Sequence, residues 1–258
     1  MEPLYFGSSQ RPLYGVYHPA EGSEFRNEAI VFCCPFGQEY MRSHRAYRQL
    51  AHSLAKSGFH ILRFDYSGTG DSSGDMEDFT VNDWLEDIEY AMDELKDMTG
   101  AVKVSLVGLR LGGLLAGMLS SRQKIHRLVL WDPINSGVNY IKELNSEIVS
   151  KANVADLDVD NYIDNDGAMY FNGFSFTSSF LKSIEQLSLF ENTLRTDALL
   201  QVVSHENFGF DQLKSKLSQH GNFDYIHAAC PGDWNYVDEV GGMLLPQPVM
   251  RAIVNWFS

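Results

Sequence analysis

Val104-Ser105-Leu106-Val107-Gly108-Leu109-Arg110-Leu111-Gly112-Gly113-Leu114-Leu115-Ala116 reads as a strand, a Gly-x-X-x-Gly-Gly turn and a helix. A strand-to-helix turn of this kind is strained. Gly108 and Gly112, on either side of the centre, remove side chains that would collide where strand and helix meet. The central side chain is thrown out above the strand ends, at the N-terminus of the following helix. Here that side chain is Arg110. The flanking strand and helix give the glycine spacing its weight, because Gly-x-x-x-Gly alone says little.

Working outward, Ala29-Ile30-Val31-Phe32-Cys33-Cys34 is a continuous apolar run ending at Pro35, the pattern of a strand buried on both faces. Leu4–Gly7 and Leu13–Tyr17 flank a turn at Gln10-Arg11-Pro12 and predict an antiparallel pair. Tyr47, Leu50, Ala51, Leu54 and Ala55 recur at helical spacing up to Gly58, and Phe59–Phe64 is the next strand. A loop of Gly, Ser, Thr and Asp follows, from Asp65 to Gly74. Thr80 opens a helix with Trp84, Leu85, Ile88, Ala91, Met92 and Leu95 on one face. Arg127–Trp131, Ala198–Val203 and Phe223–Ala228 read as strands, Phe210–Leu217 as a helix, and a last helix runs from about Pro248 to Phe257. Strands alternating with helices predict one α/β domain over residues 1–258, a mostly parallel sheet flanked by helices. Between Gly137 and Phe190 the rhythm breaks, and an insertion of that size predicts a lid over a site.

Composition narrows the partners. Twenty basic against 34 acidic residues leave a formal charge of −14 over 258 residues. Such a field repels phosphate backbones, so nucleic acid is a poor partner. Basic residues cluster only at Arg42-Ser43-His44-Arg45, so there is no polybasic membrane signal. No apolar run approaches the ~20 residues of a membrane span, and the start lacks the pattern of a signal peptide. Three cysteines, two of them adjacent, make a poor disulfide framework. The expectation is a soluble cytoplasmic protein acting on a small-molecule or carrier-bound acyl ligand, with self-association left open.

The segments Cys34-Pro35-Phe36-Gly37-Gln38-Glu39, Leu62 to Gly74, the turn at Arg110, and Leu130-Trp131-Asp132-Pro133 together resemble the α/β-hydrolases. Within them the chain is similar to the serine aminopeptidase-like group, and there to the type 2 hydrolase-like proteins associated with exosortase systems and to relatives in biosynthetic clusters. The resemblance runs in order along the whole chain. It implies the α/β-hydrolase fold and makes the turn at Arg110 the nucleophile elbow, with arginine in place of serine. It implies an oxyanion hole from the backbone N–H of Leu111 and one near Phe36 and Gly37. It puts the acid of a triad after Ala198–Val203, where Glu206 stands. It puts the histidine after Phe223–Ala228, where Cys230-Pro231-Gly232-Asp233-Trp234-Asn235 offers none. Without nucleophile and base, Ser–His chemistry lacks both of its reacting groups.

Arg110 then has two readings. One is an internal salt bridge to Glu39 or Asp132. The other is a receptor for a carboxylate or phosphate, since a helix N-terminus favours an anion and a guanidinium grips one with two prongs. Leu111, Phe36, Gly37 and Asp132 would line that site. Cys34, at the mouth of the site, is a candidate nucleophile, although cysteine is commonly just a small buried apolar residue; Cys230 is a weaker one. Glu39, His205 and Glu206 are candidate acid/base groups, and His44 reads as a surface residue near a helix start. The Gly68–Gly74 loop lacks the lysine and helix of a phosphate loop. Phe171, Phe174, Phe176, Phe180 and Phe190 read as lid core or as the lining of an acyl pocket. No histidine pattern has zinc-ligand spacing, and no cofactor motif is present. A non-hydrolytic binding or accessory protein of a biosynthetic pathway, a pseudoenzyme with a degenerate triad, ranks first. An isomerase, lyase or acyl transferase on this scaffold ranks second, and a hydrolase using Cys34 or activated water third.

Overall fold

The computed structural model of the chain describes residues 1–21, 26–155, 163–171, 173–231, 234 and 244–258. The strands are β1 (Glu2–Ser8), β2 (Arg11–His18), β3 (Glu28–Cys33), β4 (His60–Phe64), β5 (Lys103–Leu109), β6 (Ile125–Trp131), β7 (Met169–Phe171), β8 (Phe174–Phe176), β9 (Thr196–Val203) and β10 (Phe223–His227). The helices are α1 (Gly37–Lys56), α2 (Val81–Thr99), α3 (Leu111–Arg122), α4 (Gly137–Ala155), α5 (Ser178–Glu185), α6 (Phe208–Leu217) and α7 (Gln247–Phe257). Eight strands form one sheet in the order β1-β2-β4-β3-β5-β6-β9-β10. β1 and β2 pair antiparallel, as does β2 with β4, and every other pair is parallel. The order crosses over at β3, so the loops after β3 and β5 meet at the carboxyl end of the sheet, the usual place for a site in an open α/β sheet.

The central strands carry the burial their sequences call for. Every residue of β3 is buried, and so is all of β5 after Lys103. α1 packs on α7, and α2 on α3, giving the two-sided cover that parallel sheets need. The expected α/β-hydrolase architecture is therefore present. Two boundaries differ from the sequence reading. α1 begins at Gly37, well before the periodic residues from Tyr47, because its first turns present polar side chains that carry no apolar period. Thr80 is the N-cap of α2, its N–H and hydroxyl both donating to the Asp83 carboxylate at 2.8 Å, and the helix starts at Val81.

The segment between β6 and β9 holds the 19-residue α4, the β7–β8 hairpin and α5. It is more regular than its sequence suggested. Tyr140, Ile141, Leu144 and Ile148 bury one face of α4. Phe174, Phe176 and Phe180 converge on Phe36 at ring distances of 5.8, 4.9 and 6.0 Å, so the segment is packed against the loop after β3. Phe190 is partly buried against the same core; the Phe171 side chain, like residues Gly232, Asp233 and Asn235, lies outside what is described. Among the described residues no helix is long and apolar enough to cross a membrane.

Candidate functional site

Arg110 stands between the last residue of β5 and the first of α3 with φ 52° and ψ −119°. A side-chain-bearing residue at positive φ is strained. The turn is fixed from both sides: the Arg110 N–H donates to the Trp131 carbonyl at 3.0 Å, and the Arg110 carbonyl accepts from Gly113 and Ile134. Close approach explains the glycines. A Cβ on Gly108 would fall 2.6 Å from the Gly113 Cα, and one on Gly112 would strike the carbonyl oxygens of Cys33 and Cys34.

The Arg110 side chain turns inward. Nε donates to Glu39 Oε1 at 2.8 Å, and one terminal nitrogen pairs with Glu143 of α4. Arg110 is 7% exposed and Glu39 1%. Burial pushes the guanidinium down, but Glu39 and then Glu143 outweigh it and hold it above its ordinary value. Burial and the nearby Glu39 charge likewise push the Tyr140 phenol well up. Of the two acids the sequence offered as partners, Glu39 takes the role. Asp132 does not: it accepts from the Ser204 N–H and hydroxyl at 2.7 and 2.8 Å and from Trp234 Nε1 at 2.9 Å. It sits at φ 39°, fully buried, at the end of β6. Glu143 was missed, although the apolar face of α4 was there to be read as a helix.

The remaining candidates scatter. Glu206 is exposed and pairs with His227 at 3.2 Å. His205 is exposed, with Nδ1 3.1 Å from the Ser204 hydroxyl; because that hydroxyl donates to Asp132, the imidazole nitrogen is the donor to it. Cys230 is partly exposed, and burial and Asp132 push its thiol up. His44 lies exposed on α1, inside the helix. Leu111 and Phe36 are buried, and Gly37 opens α1 at φ 62°.

Beside the elbow lies a cavity of about 340 Å³, lined by Cys34, Phe36, Gly37, Tyr40, Phe64 and Phe174 among others. The Tyr40 hydroxyl donates to Asp65 Oδ1 at 2.6 Å in its wall. Gly70, at φ 53°, leaves room for that carboxylate, which also accepts from the Asp71 N–H. The Gly68–Gly74 loop thus serves to seat Asp65. Cys34 faces the same cavity, but burial and then Asp65 push its thiol well up, and no imidazole hydrogen-bonds it among the described residues. A thiol so held is a weak nucleophile. Among the described residues, no group of three or more His, Cys, Asp or Glu side chains is placed to hold a metal ion.

Known proteins share this framework. The alpha/beta hydrolase fold family matches residues 28–195. A mitochondrial palmitoyl-protein thioesterase of Bos taurus is 38% identical over 74 residues, a stretch that takes in 28% of this chain and 23% of that protein. Est1E from Butyrivibrio proteoclasticus, solved with ferulic acid bound, superposes with a TM-score of 0.69 at 19% identity, over 98% of this chain and 97% of its own. Alpha/beta hydrolase domain-containing protein 10 from mouse superposes with a TM-score of 0.62 at 18% identity, over 100% of this chain and 98% of its own. With the eight-strand order, the strained turn after β5 and a family match over most of its length, the chain belongs to the alpha/beta hydrolase fold family.

Proposed function

We propose that this chain is a non-hydrolytic binding or accessory protein that holds an apolar or acyl group in the cavity beside its elbow, under the segment from Gly137 to Phe190 acting as a lid. One observation carries the reading: the position of the nucleophile holds Arg110, and that arginine is engaged by Glu39 and Glu143. A guanidinium cannot attack an ester or serve as a base at neutral pH. Its two carboxylate partners also argue against an anion at the elbow itself, which leaves the apolar cavity as the ligand site. Aromatic and aliphatic walls with few polar groups suit an acyl chain. The thioesterase named for the bovine relative acts on an acyl group, which fits the same class of ligand.

The test combines reactivity with binding. Wild-type protein is expected to resist fluorophosphonate labelling. Arg110→Ser is expected to hydrolyse nitrophenyl esters no faster than wild type, since a hydroxyl without a base stays weakly nucleophilic. A fluorescent acyl probe should bind, and Phe174→Asp should weaken it. Stoichiometric labelling of a serine overturns the non-hydrolytic part; no probe binding overturns the acyl site.

A further inference from the structure

A second cavity system opens on the far side of the Tyr40–Asp65 pair, between α1 and the strands β2 and β4. One part, about 440 Å³, is lined by His18, Arg45, Arg48, Gln49 and His52. The adjoining part, about 270 Å³, is lined by Arg48 and Arg63, and it shares Cys34, Tyr40, Phe64 and Asp65 with the apolar cavity. Arg45, Arg48, Gln49 and His52 recur at helical spacing and form one stripe of α1. Arg63 comes up from β4, opposite Val16 of β2.

The charges of this cleft are unusual for a chain carrying −14. Arg63 is 7% exposed, yet its hydrogen bond from Nε goes to the neutral ring of His18, at 3.2 Å. None of Arg45, Arg48 and Arg63 makes a salt bridge with a carboxylate among the described residues. Among the described residues three acids face the cleft, and none makes a salt bridge with Arg45, Arg48 or Arg63: exposed Asp71 lines its inner part. Asp65 accepts from Tyr40 and from the Asp71 N–H, and Glu21 stands 3.9 Å from His52 on its outer side. Burial, followed by Arg63, pushes the His18 imidazole down to about 4. Burial pushes Arg63 itself down, and Arg48 adds to the effect. A buried guanidinium is normally paired or hydrogen-bonded to acceptors. Here the fold instead holds three cations together, with room between them.

We propose that this cleft is an oxyanion site, built to take a phosphate group between Arg48 and Arg63 with Arg45 at its rim. The terminal N–H groups of Arg63 donate from below and Arg48 closes from α1, matching the preference of guanidinium for phosphate oxygens. The shared wall of Tyr40 and Asp65 places this site next to the apolar cavity, so one ligand with an anionic head and an apolar tail can reach both.

Titration calorimetry of the intact protein with inorganic phosphate, at ionic strength fixed by chloride, tests this. Wild type should bind one phosphate, and Arg48→Glu should weaken binding by about ten-fold or more, the worth of one charged hydrogen bond. Arg48 is exposed, so the melting temperature of the variant should match wild type; Arg48→Gln serves in its place if it does not. Octyl phosphate is the second arm. Equal affinity for both assigns the site to a free phosphate or small phosphate ester, and tighter octyl phosphate assigns it to an amphiphile. No heat beyond the chloride control, or a charge-altered variant that binds phosphate like wild type, overturns the proposal.

Discussion

Arg110 keeps its charge where burial opposes it, and only the two carboxylates make that state tolerable. Buried ion pairs are weak contributors as pairs but destructive when halved, because the remaining charge has no solvent. Asp87 shows the opposite sign. Burial pushes its carboxyl up to about 6, against the N–H and hydroxyl of Ser67 and the Arg11 guanidinium, which pull it down. A folded-state value above the unfolded one means that the folded chain holds the proton more tightly. The stability this group contributes is present below the unfolded value of 3.8 and is lost as pH rises through about 6. His18, pushed down to about 4, acts the other way: its contribution is present above 6.5 and is lost as pH falls towards 4. Comparing wild type with Asp87→Asn isolates the first group. Urea midpoints should show wild type gaining on the variant as pH falls from about 7 to about 4.5; a constant difference would mean that Asp87 is not raised.

At the scale of elements, the contact that matters is between the elbow and α4. Glu143 is the α4 residue that pairs with Arg110, and Tyr140, Ile141, Leu144 and Ile148 bury the apolar part of the same helix. Glu143→Gln should leave the sheet intact and loosen α4, because Glu39 still pairs with Arg110 on the buried side. Hydrogen exchange should rise in α4 and stay unchanged in β3, β5 and α3. Unchanged exchange in α4 would show that the aromatic packing on Phe36 alone holds the segment. Most of these elements were legible beforehand. β3 announces itself as an unbroken apolar run, α2 by its period after Thr80, and β5 and the elbow by Gly108 and Gly112 following Val104–Val107. The start of α1 was not, because Gln38, Glu39, Arg42 and Ser43 break the apolar period.

For the whole molecule, the fold followed from order and periodicity, while the site depended on which charges meet across long sequence distances. Glu39, Arg110 and Glu143 come together only after β3, β5 and α4 are in place. Arg48 and Arg63 share a cavity wall that no local spacing shows. Asp132 sits at the strand ends, where its place after β6 puts it, but its partners Ser204 and Trp234 come from loops after β9 and β10. Arg110 is a buried clamp at the turn after β5, held by Glu39 and Glu143. Thermal melts of wild type and Arg110→Ala, each with and without added carboxylates and phosphate, test it most directly. Removing the guanidinium breaks a buried ion pair with Glu39 and should cost about 3–5 kcal/mol, a fall of roughly 6–20 °C at about 2–4 °C per kcal/mol. Replacing both partners, Arg110→Met with Glu39→Leu, should recover most of the loss, since an apolar pair leaves no buried charge behind. A melt unchanged in Arg110→Ala, with a carboxylate response that wild type has and the variant lacks, would contradict the clamp and make Arg110 a ligand receptor.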